Sequence, residues 1–183
     1  MKHIKAIILC LLILTSCGGE NKNKVTTVDE EKALTTSSTN INIEDIKQKL
    51  CKEFPKDLVL QYNPDASHIE IETIDNGSGG ILHCNIKLFY GKKEYEHWKG
   101  QVSAYINKME DPFWQYNPKR NASLFHNVDH LGDKAVYISN MYQLQILKDG
   151  VMYSITPPNN GNKTSTGKET KVIAVEIAKH YNL

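Results

Sequence analysis

The chain has almost no arginine. Arg120 is the only one among its 22 basic residues, so the planar fork that grips phosphate or carboxylate bidentately is nearly missing. Charge of one sign is missing too. The 22 basic and 21 acidic residues leave a formal +1, and setting Lys2 and Lys5 aside leaves 20 against 21. Nucleic-acid partners are drawn by a basic excess, and none exists here. No apolar run reaches the roughly 18 residues that a spanning helix needs; the run from Ala6 to Leu14 stops at Thr15. There is no His-Glu-x-x-His zinc signature, no cysteine cluster and no nucleophile elbow. These absences leave no local signature of catalysis, and no cofactor or metal is expected.

What is present starts at the N-terminus. Lys2 and Lys5 precede the apolar stretch, which is the charge and length pattern of a secretory signal. Leu14-Thr15-Ser16-Cys17 then resembles the lipobox of bacterial lipoproteins. That resemblance implies cleavage before Cys17, a diacylglyceryl thioether on its sulfur, and membrane attachment through the lipid. Each buried methylene is worth about 0.8 kcal/mol, so two or more acyl chains anchor stably. The chain therefore reads as a signal peptide (1–16), lipidated Cys17 with a tether (17–41), and one domain (42–183). Residues 18–41 are rich in Thr, Ser, Asn and Lys and cannot bury enough apolar surface to fold. As a flexible chain they would span roughly 25–30 Å. The expected place is the bacterial cell envelope, with the outer membrane preferred.

The mature portion holds two more cysteines, Cys51 and Cys84. Outside the cytoplasm such a pair is usually a disulfide, which would close a loop worth roughly 3–4 kcal/mol on the chain-entropy view. The alternative is two buried thiols.

Asn42, Ile43, Ile46, Leu50 and Phe54 suggest a capped helix that Pro55 ends or restarts, and Leu58, Val59 and Tyr62 a short second turn. Ile69 and Ile71 alternate with Glu70 and Glu72, and Leu82, Cys84, Ile86 and Leu88 alternate as cleanly, giving two strands around a turn at 76–80. Tyr95, Trp98, Val102, Tyr105 and Met109 step by three and four and predict a helix with Trp98 in the core. A long loop spans 111–127. Ala135–Ile138 predicts a strand, and Asp149-Gly150 a tight turn between strands 142–148 and 151–155. Thr170–Tyr181 predicts a closing helix with Val172, Ile173, Ile177 and Tyr181 on its apolar side. The sum is an α+β fold: an antiparallel sheet of about five strands with helices packed on it.

LGDKAVYI (131–138), LQILKDGVMYSI (144–155) and ETKVIAVEIAKHY (169–181) are similar to small bacterial lipoproteins of PsbP-like architecture. The Cys51 and Cys84 pair resembles one seen in actinobacterial members of uncharacterised lipoprotein families. The resemblance implies a scaffold and no catalytic residues.

Three stretches invite a chemical reading. GNKTSTGKE (161–169) has five residues between its glycines where a phosphate loop has four, and Glu169 follows Lys168 where Ser or Thr would hold magnesium; it reads as a polar loop opening a helix. His126 and His130 are four apart, but the Leu-Gly-Asp turn beside them removes the helical register that a shared metal would need. DPFWQYNP (111–118) sets Phe113, Trp114 and Tyr116 between two prolines. Aromatic faces in a restricted loop suit sugars or apolar protein anchors; alternatively Phe113 and Trp114 fold inward and cap the core.

The expectation is a non-catalytic binding lipoprotein with a protein partner in the envelope. Two other readings stay open: a protective lipoprotein that neutralises an envelope-acting toxin, and a hydrolase or metal-dependent enzyme whose residues meet only in three dimensions.

Overall fold

The structure, a computed structural model, describes residues 42, 45–46, 48–75 and 82–183. The signal peptide, Cys17, the tether, Ile43 and the turn at 76–80 lie outside the described residues.

Period-2 alternation drives the first two strands. In β1 (His68–Asp75) Ile69 and Ile71 face one side and Glu70 and Glu72 the other; in β2 (Leu82–Phe89) Cys84, Ile86 and Leu88 are buried. They pair antiparallel, Ile69 opposite Leu88 and Ile71 opposite Ile86. The next element is a strand and not the expected helix. In β3 (His97–Ile106), Gly100, Val102 and Ala104 face inward and Gln101 and Ser103 outward. The three-and-four spacing of the bulky residues there is incidental, because the inward set contains a glycine and an alanine and gives little apolar signal. Gly100 has a reason to lack a side chain: a Cβ would come within 2.7 Å of the Thr156 carbonyl oxygen and would also collide with Pro158.

Four more strands follow: β4 (Phe125–Asn127), β5 (Lys134–Ile138), β6 (Gln143–Lys148) and β7 (Val151–Thr156). The sheet thus has seven strands, not five, in the order β1-β2-β3-β7-β6-β5-β4, every neighbouring pair antiparallel. The hairpin between β6 and β7 forms where Asp149-Gly150 predicts it. Both residues have positive φ, 50° and 78°, the requirement of a type I′ turn. The chain runs β1 to β3 as one meander and β4 to β7 as another. β7 returns to β3 and closes the two into one sheet. The link from β3 to β4 must therefore cross four strand spacings, about 19 Å.

Helical segments pack on one face. A π-helical turn (Gln48–Lys52) and α1 (Lys56–Tyr62) lie on either side of Pro55, and α2 (Thr170–His180) closes the chain. Leu50, Val59, Ile173, Ile177 and Tyr181 join Cys84, Ile86, Val102, Leu144, Ile146 and Ile155 in the main core. Val172 is not on that side; it is 37 % exposed. Trp98 is half-buried and packs against the core's margin. The Tyr181 hydroxyl donates to the Leu50 carbonyl at 2.6 Å, and Tyr62 donates to the Glu176 carboxylate at 2.8 Å, so the last helix is tied to both early segments.

Candidate functional site

Cys51 and Cys84 are a disulfide, Cα atoms 5.5 Å apart, joining the π-helical turn to the middle of β2. Both residues are buried. The bond fastens the helical layer to the sheet from within the core.

The crossing loop between β3 and β4 contains the three aromatics. It takes the face opposite the helices. Phe113 packs with Val136 and Met152, bordered by Tyr105, Tyr116, Phe125 and Leu147, in a second and smaller core. At 1 % exposure Phe113 is not available to a partner; for it, the inward reading describes the molecule. Trp114 is 48 % exposed, with the Arg120 guanidinium 5.5 Å from its ring and Arg120 donating to its carbonyl oxygen. Tyr116 is half-buried and edge-on to Phe125 at 5.8 Å. The loop holds its course through side chains that accept from the backbone two residues ahead: Asn107 from Met109, Asp111 from Phe113, Asn117 from Lys119 and Asn121 from Ser123. Lys134 adds an ion pair to Asp111 at 3.7 Å and lies over the Phe113 ring.

Much of the rest of that face, across β1, β2 and β3, is polar. Glu70 opposes Lys87, which opposes Lys99; one row on, Glu72, Asn85, Gln101 and Thr156 are successive cross-strand neighbours. Gln101 donates to Asn85 at 3.4 Å, Gln143 to Thr156 at 3.3 Å, and Gln145 to Gln143 and Ser154 at 2.7 and 3.2 Å. At one end of these rows His68 stacks on Phe89, centroids 4.5 Å apart, and Phe89 meets His97 at 5.2 Å.

The histidine pair does not lie on a helix. His126 is on β4, and His130 sits in the following turn with φ 63°. Among the described residues no three His, Cys, Asp or Glu side chains gather where they could hold a metal ion. The segment 161–169 is a brace. Thr164 accepts from the Lys168 backbone N–H at 3.1 Å, and Thr166 donates to the Tyr62 carbonyl at the end of α1 at 3.1 Å.

A cleft of about 300 Å³ opens on the helical side, beside the β4 edge and the start of α2. Its walls come from His126, Tyr137, Ser139, Tyr142, Asn162, Glu169 and Lys171. Burial pushes the Tyr137 phenol up to about 12, with Tyr142 and Glu169 close enough to add to the shift. Lys171 lies over the Tyr137 ring at 5.9 Å. No local motif announces this cleft, because its residues come from four separate stretches. The one readable hint is the tyrosine spacing around Ser139 in a turn between predicted strands.

Comparison of the chain with protein-family models, with curated proteins and with solved structures gives no match.

Proposed function

We propose that this is a lipid-anchored bacterial envelope protein that binds a protein partner and catalyses no reaction, attached through Cys17 and with the outer membrane as its preferred home. Its domain is proposed to share the PsbP-like architecture. The lipobox-like Leu14-Thr15-Ser16-Cys17 supports the anchor, and the Cys51–Cys84 disulfide supports a compartment outside the reducing cytoplasm. The observation that carries the binding role is Trp114. It is a large ring held half in solvent on a loop that four internal turns and a buried Phe113 keep in place. A pre-ordered exposed tryptophan gives contact area at low entropic cost, as interface anchors do.

The test is in-cell crosslinking of the full lipidated protein, followed by affinity capture and mass spectrometry. The expected result is a reproducible envelope protein that Trp114→Ala loses while the domain's unfolding transition is unchanged. Capture unaffected by Trp114→Ala, or capture of abundant neighbours only, overturns the reading. In fractionation, Cys17→Ser is expected to release the protein from membranes.

A further inference from the structure

Several polar groups lining the cleft at the start of α2 are left unengaged by other residues, and Tyr137 is the informative one. The residue is 5 % exposed. Other deeply buried hydroxyls are satisfied within the protein: Tyr181, at the far end of α2, donates to the Leu50 carbonyl at 2.6 Å, and Thr170 donates to the Gly161 carbonyl at 2.7 Å. The Tyr137 hydroxyl makes no hydrogen bond to a described residue, yet it is not sealed away from solvent. The hydroxyl therefore opens toward the cleft, where its hydrogen-bonding capacity is available to water or to a ligand that displaces it. The Tyr142 hydroxyl and the Asn162 amide share the cleft and are also without a described hydrogen-bond partner.

The charges sharpen the reading. Glu169 and Lys171 flank the cleft, and neither belongs to an ion pair among the described residues. Lys171 rests over the Tyr137 ring instead. A lone anion would meet Glu169, a lone cation would meet Lys171, and a neutral sugar would desolvate both without an answering charge. We infer that the cleft binds a small zwitterion, its ammonium toward Glu169, its carboxylate toward Lys171, and its polar middle against Tyr137, Tyr142 and Asn162. A volume of about 300 Å³ is at the small end of ligand sites, which suits an amino acid or a dipeptide. The site shares no residue with the Trp114 loop, so it stands or falls separately from the partner reading.

The experiment is isothermal titration of the full-length protein in detergent micelles with L-alanine and L-alanyl-L-alanine. L-alaninamide, N-acetyl-L-alanine and glucose are the comparison probes. At least one zwitterion is expected to bind about tenfold more tightly than each comparison probe, since each of these lacks at least one charged contact. Glu169→Gln and Lys171→Met should each weaken that binding about fivefold or more. Tyr137→Phe should weaken it with no fall in thermal midpoint, because it removes a hydroxyl that no other residue uses. Binding of glucose or N-acetyl-L-alanine at equal strength overturns the ligand class. Failure of both zwitterions to bind at millimolar concentration, or full binding by the Glu169 and Lys171 variants, overturns the site.

Discussion

The two faces of one sheet are built by different means. On the helical face, side chains from every long strand meet α2, α1 and the π-helical turn, and a disulfide crosses the layer. On the opposite face the buried apolar cluster is smaller, Phe113, Val136 and Met152 with four partly buried neighbours, under a loop whose order comes from short polar turns. The first is packing between regular elements. The second follows from topology, because a chain that leaves β3 in mid-sheet and re-enters at β4 on the far edge has to lie over something. The difference teaches that the loop's apolar residue serves the fold while its exposed neighbour is free for other work.

Two positions on β7 break this comparison most directly. Ile155 faces the helices and Met152 faces the loop, and both are fully buried. Ile155→Ala is expected to cost about 4 kcal/mol and Met152→Ala about 2 kcal/mol, since an irregular loop can settle into the gap and a helical layer cannot. Equal losses in urea unfolding would show the loop to be as rigid as the helices. Next in size is the disulfide: Cys51→Ala with Cys84→Ala should lower stability by roughly 3–4 kcal/mol, measured the same way and matched by adding reductant to the unaltered protein. Phe113→Ala should cost about 3 kcal/mol, the low end for a buried ring. In hydrogen exchange it should speed the amides of 111–117 and leave β1 and β2 unchanged; loss of protection across the whole sheet would mean that the loop is part of the main core.

The tyrosines sharpen the comparison by pH. The Tyr137 phenol is pushed up to about 12 in the folded protein from an ordinary value of 10.0. A raised value means that its contribution is fully present below pH 10 and is lost as pH rises through about 12. Stability should therefore fall across that window. Tyr137→Phe should flatten the fall, and an unchanged slope would place the alkaline sensitivity elsewhere, with Tyr181 the next candidate because burial raises it too. The smallest effect is expected at Lys134. Both partners of its ion pair with Asp111 are about half exposed, so Lys134→Met should change stability by no more than about 1 kcal/mol.

Legibility in the sequence follows the strength of local pattern. β1 and β2 are readable because isoleucine, leucine and cysteine alternate with charged or polar residues. The β6–β7 hairpin is readable because Asp149-Gly150 permits few other backbones. Most of α2 is readable from Ile173, Ile177 and Tyr181; Val172 misleads because it is apolar yet borders the buried stripe. β3 is not readable as a strand, since Gly100 and Ala104 dilute its inward face while Tyr95, Tyr105 and Met109 imitate a helical period. β4 is three residues long and carries no period at all. The disulfide partners are visible as a pair, but their bonding depends on tertiary approach. Phe113 and Trp114 look alike as neighbours in a loop, and only the crossing path decides which of them turns inward. The cleft is least legible, because His126, Tyr137, Asn162 and Glu169 become neighbours only after the second meander and α2 have assembled.

The disulfide also sets how the domain would carry mechanical load. A pull on the chain ahead of the π-helical turn reaches Cys51 and passes through the covalent bridge to Cys84 in the middle of β2. Residues 52–83, with α1 and β1 among them, lie on a closed covalent loop and do not have to extend for that force to reach the sheet. Resistance then rests on β2, which is hydrogen-bonded on both sides, instead of on the edge strand β1. Reduction would put the edge strand in series with the load, so the same bond that closes the core also selects which strand yields first.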